Sequence, residues 1–158
     1  SVTSFRTASG RELLYTSPLA TFTGPKAIRG DVPLVFLQCR QPDPALPNHG
    51  FLRINKWRLV ENDAANMMTQ VDVESVRCEF ALSLATDVIH GRGGIWDPSN
   101  NQNINFEARY CVDIQTESFT TTLSVTNTGS MPFPFQALYH TYYRINNGQA
   151  TTPPNVVN

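Results

Sequence analysis

Nothing in this sequence approaches the ~20 consecutive apolar residues that a membrane-spanning helix needs. No sign of charge dominates either. Twelve Lys and Arg stand against 13 Asp and Glu, a formal net charge of −1 with no basic stripe. Neither a nucleic-acid backbone nor an anionic membrane surface is therefore an expected partner. Cysteine is scarce: Cys39, Cys78 and Cys111 are an odd number at wide spacing, without a CxxC pair. That pattern suits neither a disulfide framework nor a zinc site, and the three read as small buried hydrophobes. There is no Asn-x-Ser/Thr sequon, and the opening residues from Ser1 to Arg11 are polar and alternating, unlike a secretory signal. Together these absences predict an intracellular protein, of the cytoplasm or an organelle matrix. Helical stripes with start and stop signals are also missing. Residues 61–68 are the one exception to watch, since Asn62-Asp63 could cap a single turn.

What is present is strand-like alternation. Phe106, Ala108, Tyr110, Val112 and Ile114 occupy every second position, with Glu107, Arg109 and Asp113 between them. Phe119, Thr121, Leu123 and Val125 repeat the pattern, and Phe133, Phe135 and Ala137 begin a third run that reaches Tyr143. Period two with β-branched and aromatic residues is the signature of half-buried antiparallel strands. Strands at about 104–115, 118–127 and 134–145 are expected to form a meander, with Phe106, Tyr110, Leu123 and Val125 facing the core. Residues 57–60, 69–73 and 76–84 read as further strands. The 158 residues, 41% of them hydrophobic, suffice for one core, and a chain of this size buries roughly 70% of its unfolded surface. The fold class is all-β, an antiparallel β-sandwich. One domain is expected over 1–145, followed by a polar tail over 146–158. Residues 23–50 carry Pro25, Pro33, Pro42, Pro44 and Pro47 and read as a long loop, and ordered loops of such length are usually functional.

That loop contains Lys26-Ala27-Ile28-Arg29-Gly30-Asp31-Val32-Pro33, then Val35-Phe36-Leu37-Gln38, then Pro47-Asn48-His49-Gly50-Phe51-Leu52-Arg53, with Trp57 following. Near the end stands Leu138-Tyr139-His140-Thr141-Tyr142-Tyr143, preceded by Val125-Thr126-Asn127-Thr128-Gly129. In this order the segments resemble the hexose-6-phosphate mutarotases (glucose-6-phosphate 1-epimerases) of the aldose-1-epimerase superfamily, with their "AIRGG", "HGFAR" and "LHTYF" motifs. The likeness runs from about Val2 to Ile145. It implies a β-sandwich of the galactose-mutarotase type, a hexose phosphate as substrate, and no metal or organic cofactor. It further implies His140 as the catalytic histidine, His49 as a sugar contact, Arg29 and Arg53 as the phosphate-holding arginines, and Gln38 as a polar residue beside the sugar.

The chemistry asks for such groups. Mutarotation removes a proton from O1, protonates the ring oxygen, turns the C1 carbonyl over and closes the ring again. Each positioned acid or base contributes roughly 10²–10⁴-fold, and an imidazole with its pKa near ~6.5 suits the acid. Guanidinium forks suit a phosphate. Three departures from the family pattern stand out. Asp31 replaces the second Gly of "RGG" and is expected to oppose Arg29 at a phosphate site. Leu37, Cys39 and Arg40 alter the "FPQFG" segment. The family's catalytic glutamate lies downstream of "HTY", beyond the likeness, and Glu61, Glu107 and Glu117 match no base. The chain is then expected to resemble half a sandwich: a fragment, a piece whose exposed sheet another protein chain covers, or a degenerate descendant used for contacts. A non-enzymatic interaction subunit and a carbohydrate-binding module are the alternatives to a mutarotase-like domain. Trp57 and Trp96 read as packing residues, and His90 as a loop residue.

Overall fold

The computed structural model describes residues 1–23, 26–44, 46–60, 75–84, 96–97, 102–103, 105–115 and 118–145. The expectations for residues 61–68, 69–73 and 146–158, for His90, and for Glu61 and Glu117 lie outside the described residues, as does the side chain of Trp96. Among these residues eight strands follow in order: β1 (Leu34–Leu37), β2 (Arg58–Leu59), β3 (Ser75–Leu84), β4 (Trp96–Asp97), β5 (Gln102–Asn103), β6 (Phe106–Gln115), β7 (Phe119–Asn127) and β8 (Gln136–Tyr139). No helix occurs among the described residues, so the all-β reading holds.

The alternating runs form the main sheet, in the order β2-β3-β6-β7, antiparallel throughout. Its register sets Tyr110 opposite Phe80 on one side and Leu123 on the other. The even-numbered side chains of β6 turn inward: Phe106, Ala108, Tyr110 and Val112 are buried, and the partly buried Leu123 and Val125 pack against them. Period two thus places one face of each strand in the core, as the alternation requires. A charged cluster marks the outer face, where Arg109 is paired with Glu79 and Glu107.

The expected meander of three strands is corrected in its last member. β8 does not pair with β7. It pairs with β1, in the register Leu34↔Tyr139 to Leu37↔Gln136. A tight turn holds Asn127, whose amide donates to Met131 O and accepts from Gly129 N–H. Pro132 and Pro134 then deny the chain the donors needed to return along β7, and it crosses to the second layer. The long loop is corrected too, because it contains β1. Leu34, Val35, Phe36 and Leu37 are all buried, and a strand buried on both faces shows no alternation. Phe36 meets Phe106 edge-on at 4.9 Å between centroids, which joins the β1–β8 layer to the main sheet in one core. Trp57 lies partly buried against that core, with its indole N–H donating to Leu52 O.

Candidate active site

The pairing of β1 with β8 continues beyond both strands. His140 N–H donates to Pro33 O, Tyr142 N–H to Asp31 O, and Tyr15 N–H to Tyr142 O. On the other side Asp31 N–H donates to Tyr15 O and Ser17 N–H to Arg29 O. Three segments far apart in sequence, around residues 15, 30 and 142, are thereby laced together. Gly30 makes the close approach possible. Its φ is 113°, and a Cβ there would collide with the backbone of Tyr15 and Thr16. A fourth segment, residues 48–53, is brought in by Gly50, whose φ of 70° lets it lie against the Phe36 carbonyl.

Where the four segments meet they enclose a cavity of about 580 Å³. Arg29, Asn48, His49, Arg53, His140 and Tyr142 line it, together with Tyr15, Ser17 and residues of the 27–33 segment. Four of the five residues singled out from the sequence, His49, His140, Arg29 and Arg53, therefore share one concave surface. The two imidazoles lie edge to face with centroids 5.6 Å apart and an interplanar angle of 66°. His140 and Tyr142, two residues apart on one extended stretch, share a face, and their rings stack at 5.0 Å.

The electrostatics are cationic. Burial, reinforced by Arg53, His140 and Arg40, pushes the pKa of His49 down. Burial also lowers that of Arg53. Arg53 Nη2 donates to Asn48 O at 2.7 Å, while its buried Nε has no partner. Among the described residues, no carboxylate lines the cavity.

Gln38 lies elsewhere. It is 4% exposed, outside the lining, and bonded to the loop that follows it. Asp31 is not in the cavity wall either. Its side chain is fully buried with neither oxygen hydrogen-bonded, so the expected charge against Arg29 is not presented to the site. Tyr15 and Ser17 had no sequence signal, because backbone bridges rather than any motif bring them in. Tyr142 belongs to the 138–143 motif, and its stacking on His140 follows from their spacing of two. No group of three metal-ligating side chains occurs among the described residues.

The profile of the aldose 1-epimerase family matches residues 1–155. The chain is similar to a protein of Cenchrus ciliaris named "Putative glucose-6-phosphate 1-epimerase", at 32% identity over 145 residues. The match covers 90% of this chain and 40% of that relative's length. No solved structure matches significantly.

Proposed function

Since the chain belongs to the aldose 1-epimerase family, we propose that its cavity takes the ring of a hexose 6-phosphate and supplies the binding groups and the acid of an anomer-interconverting site. One observation carries this reading: two imidazoles and two guanidiniums from three separate segments line a single cavity of about 580 Å³. The name of the Cenchrus ciliaris relative supports the choice of a phosphorylated hexose. In this reading Arg29 and Arg53 hold the phosphate. His49 contacts a sugar oxygen. His140, oriented by the Tyr142 ring beneath it, protonates the ring oxygen as the C1–O5 bond breaks, and takes that proton back when the ring recloses on the other face of C1. The O1 proton must go to a base, and the described lining residues offer no carboxylate for it.

Exchange spectroscopy on glucose 6-phosphate tests the proposal. Without a base, anomer interconversion should stay within about tenfold of the buffer rate, because one missing group forfeits roughly 10²–10⁴. Rapid exchange abolished by His140→Ala would mean that a carboxylate outside the lining residues serves as base. A second reading, a domain that works through contacts with another protein chain, is favoured by the exposed Phe135, Tyr143 and Ile145 beside β8. It would require no sugar-phosphate binding and a stable association instead.

A further inference from the structure

The Gln38 side chain takes part in four hydrogen bonds, yet it does not line the cavity. Its Nε2 donates toward Asp43 O, Leu46 O and Pro47 O at 3.2, 3.3 and 3.1 Å. Its Oε1 accepts from Asp43 N–H at 3.0 Å. All these partners belong to the stretch between Gln38 and Gly50, so one buried amide gathers the whole loop around itself. The loop closes on a reciprocal pair. His49 N–H donates to Arg40 O at 2.8 Å, and Arg40 N–H donates to His49 Nδ1 at 3.0 Å. Arg40 and His49 both stand in the left-handed region, with φ of 59° and 63°. For residues with a Cβ that conformation costs roughly 1–2 kcal/mol each, so it persists only where surrounding contacts hold it.

The closure decides the state of the imidazole. A nitrogen that accepts from a backbone N–H carries no hydrogen, so the proton of the neutral ring sits on Nε2. Protonating Nδ1 would set two donors against each other. The groups that act on the charge of His49 are Arg53, His140 and Arg40, each cationic when ionised; Arg29, Tyr15 and Tyr142 line the same cavity, and no carboxylate does so among the described residues. The same loop carries Asn48, whose carbonyl receives Arg53 Nη2.

We propose that Gln38 is a positioning residue: without touching the ligand, it holds the 38–50 loop so that His49 stands neutral in the cavity with its Nε2 hydrogen as a fixed donor. The loop geometry stands alone, while the use of that donor toward a sugar oxygen rests on the function proposed above.

Nitrogen-15 NMR of the imidazoles tests this, with glucose 6-phosphate affinity measured on the same samples. In the wild-type chain, His49 Nδ1 should report an unprotonated nitrogen and Nε2 a protonated one, with a titration midpoint below ~6.5. Gln38→Glu keeps the shape but sets a carboxylate against three carbonyls. It should give a mixture of His49 tautomers, move the midpoint up, and weaken glucose 6-phosphate binding about tenfold, the lower end of what loss of an outer-shell partner costs. The indole N–H of Trp57, bonded outside the loop to Leu52 O, should stay in place and separate this effect from unfolding. Should Gln38→Glu lose the fold, Gln38→Asn, one methylene shorter, must give the same displacements. Unmoved His49 nitrogens in a folded variant would overturn the proposal, as would Nδ1 protonation in the wild-type chain. Wild-type chain that binds no glucose 6-phosphate would defeat the sugar-phosphate reading alone, and the nitrogen signals would still decide the role of Gln38.

Discussion

Asp31 should cost this fold stability at neutral pH. Its side chain is fully buried, neither oxygen has a hydrogen-bond partner, and its φ is 67°. Burial raises its pKa from 3.8 to about 6. Below pH 3.8 the carboxyl is protonated in folded and unfolded chain alike, and no penalty arises. Between 3.8 and about 6 the unfolded chain has released its proton while the folded chain still holds it, so stability is lost as pH rises through this window and the loss is complete above about 6. Fully developed, such a rise corresponds to about 3 kcal/mol. Asp31→Asn keeps the shape without the ionisation, so its advantage over wild type should grow by about 2 kcal/mol between pH 4.5 and 7.5. In urea that is a relative midpoint shift of about 1 M. Asp31→Gly should gain at least as much at pH 7.5, because glycine also accepts the left-handed backbone at no cost. The comparison of variant with wild type at both pH values cancels every other titrating group. An advantage that does not change with pH would mean that Asp31 has a partner and that this reasoning is wrong.

Glu12 should behave in the opposite sense. Desolvation raises its pKa, but bonds from the Ser4 hydroxyl, the Phe5 and Leu14 amides and Arg6 outweigh this and hold it at about 2, below the ordinary 4.5. Its stabilisation is complete above pH 4.5 and vanishes as pH falls toward 2; Glu12→Gln should cost about 1 kcal/mol at pH 7 after solvent screening and flatten the acid limb of a denaturation series. Gly50→Ala places a Cβ into the Phe36 carbonyl at a left-handed φ. It should destabilise by about 3 kcal/mol or more in urea titrations, and detach the 48–53 segment from the cavity.

The sequence was most readable where one face of a strand is buried. The alternation through Phe106, Tyr110, Leu123 and Val125 fixes both register and face for β6 and β7. It was silent on β1, because Leu34–Leu37 is buried on both sides and four apolar residues carry no period. The destination of β8 was equally hidden. Prolines at 132 and 134 announce a break but not which sheet the chain joins next. For the site, residue types within motifs identified His49, His140, Arg29 and Arg53. Side-chain direction was not legible: Gln38 and Asp31 sit in the same motifs and turn away, one into its own loop and the other into the interior. Tyr15 and Ser17 arrive through backbone bridges to distant segments, which only the folded chain reveals.

Calorimetric titration of the chain with glucose 6-phosphate and, separately, with unphosphorylated glucose is the most direct measurement of whether the cavity is a sugar-phosphate site. Glucose 6-phosphate should bind at least tenfold more tightly than glucose, since charge-assisted bonds to arginine contribute on the order of 1.5–3 kcal/mol. Arg53→Ala should remove most of that preference. Equal affinities for the two sugars, or a preference that survives Arg53→Ala, would contradict the assignment of the guanidiniums to a phosphate.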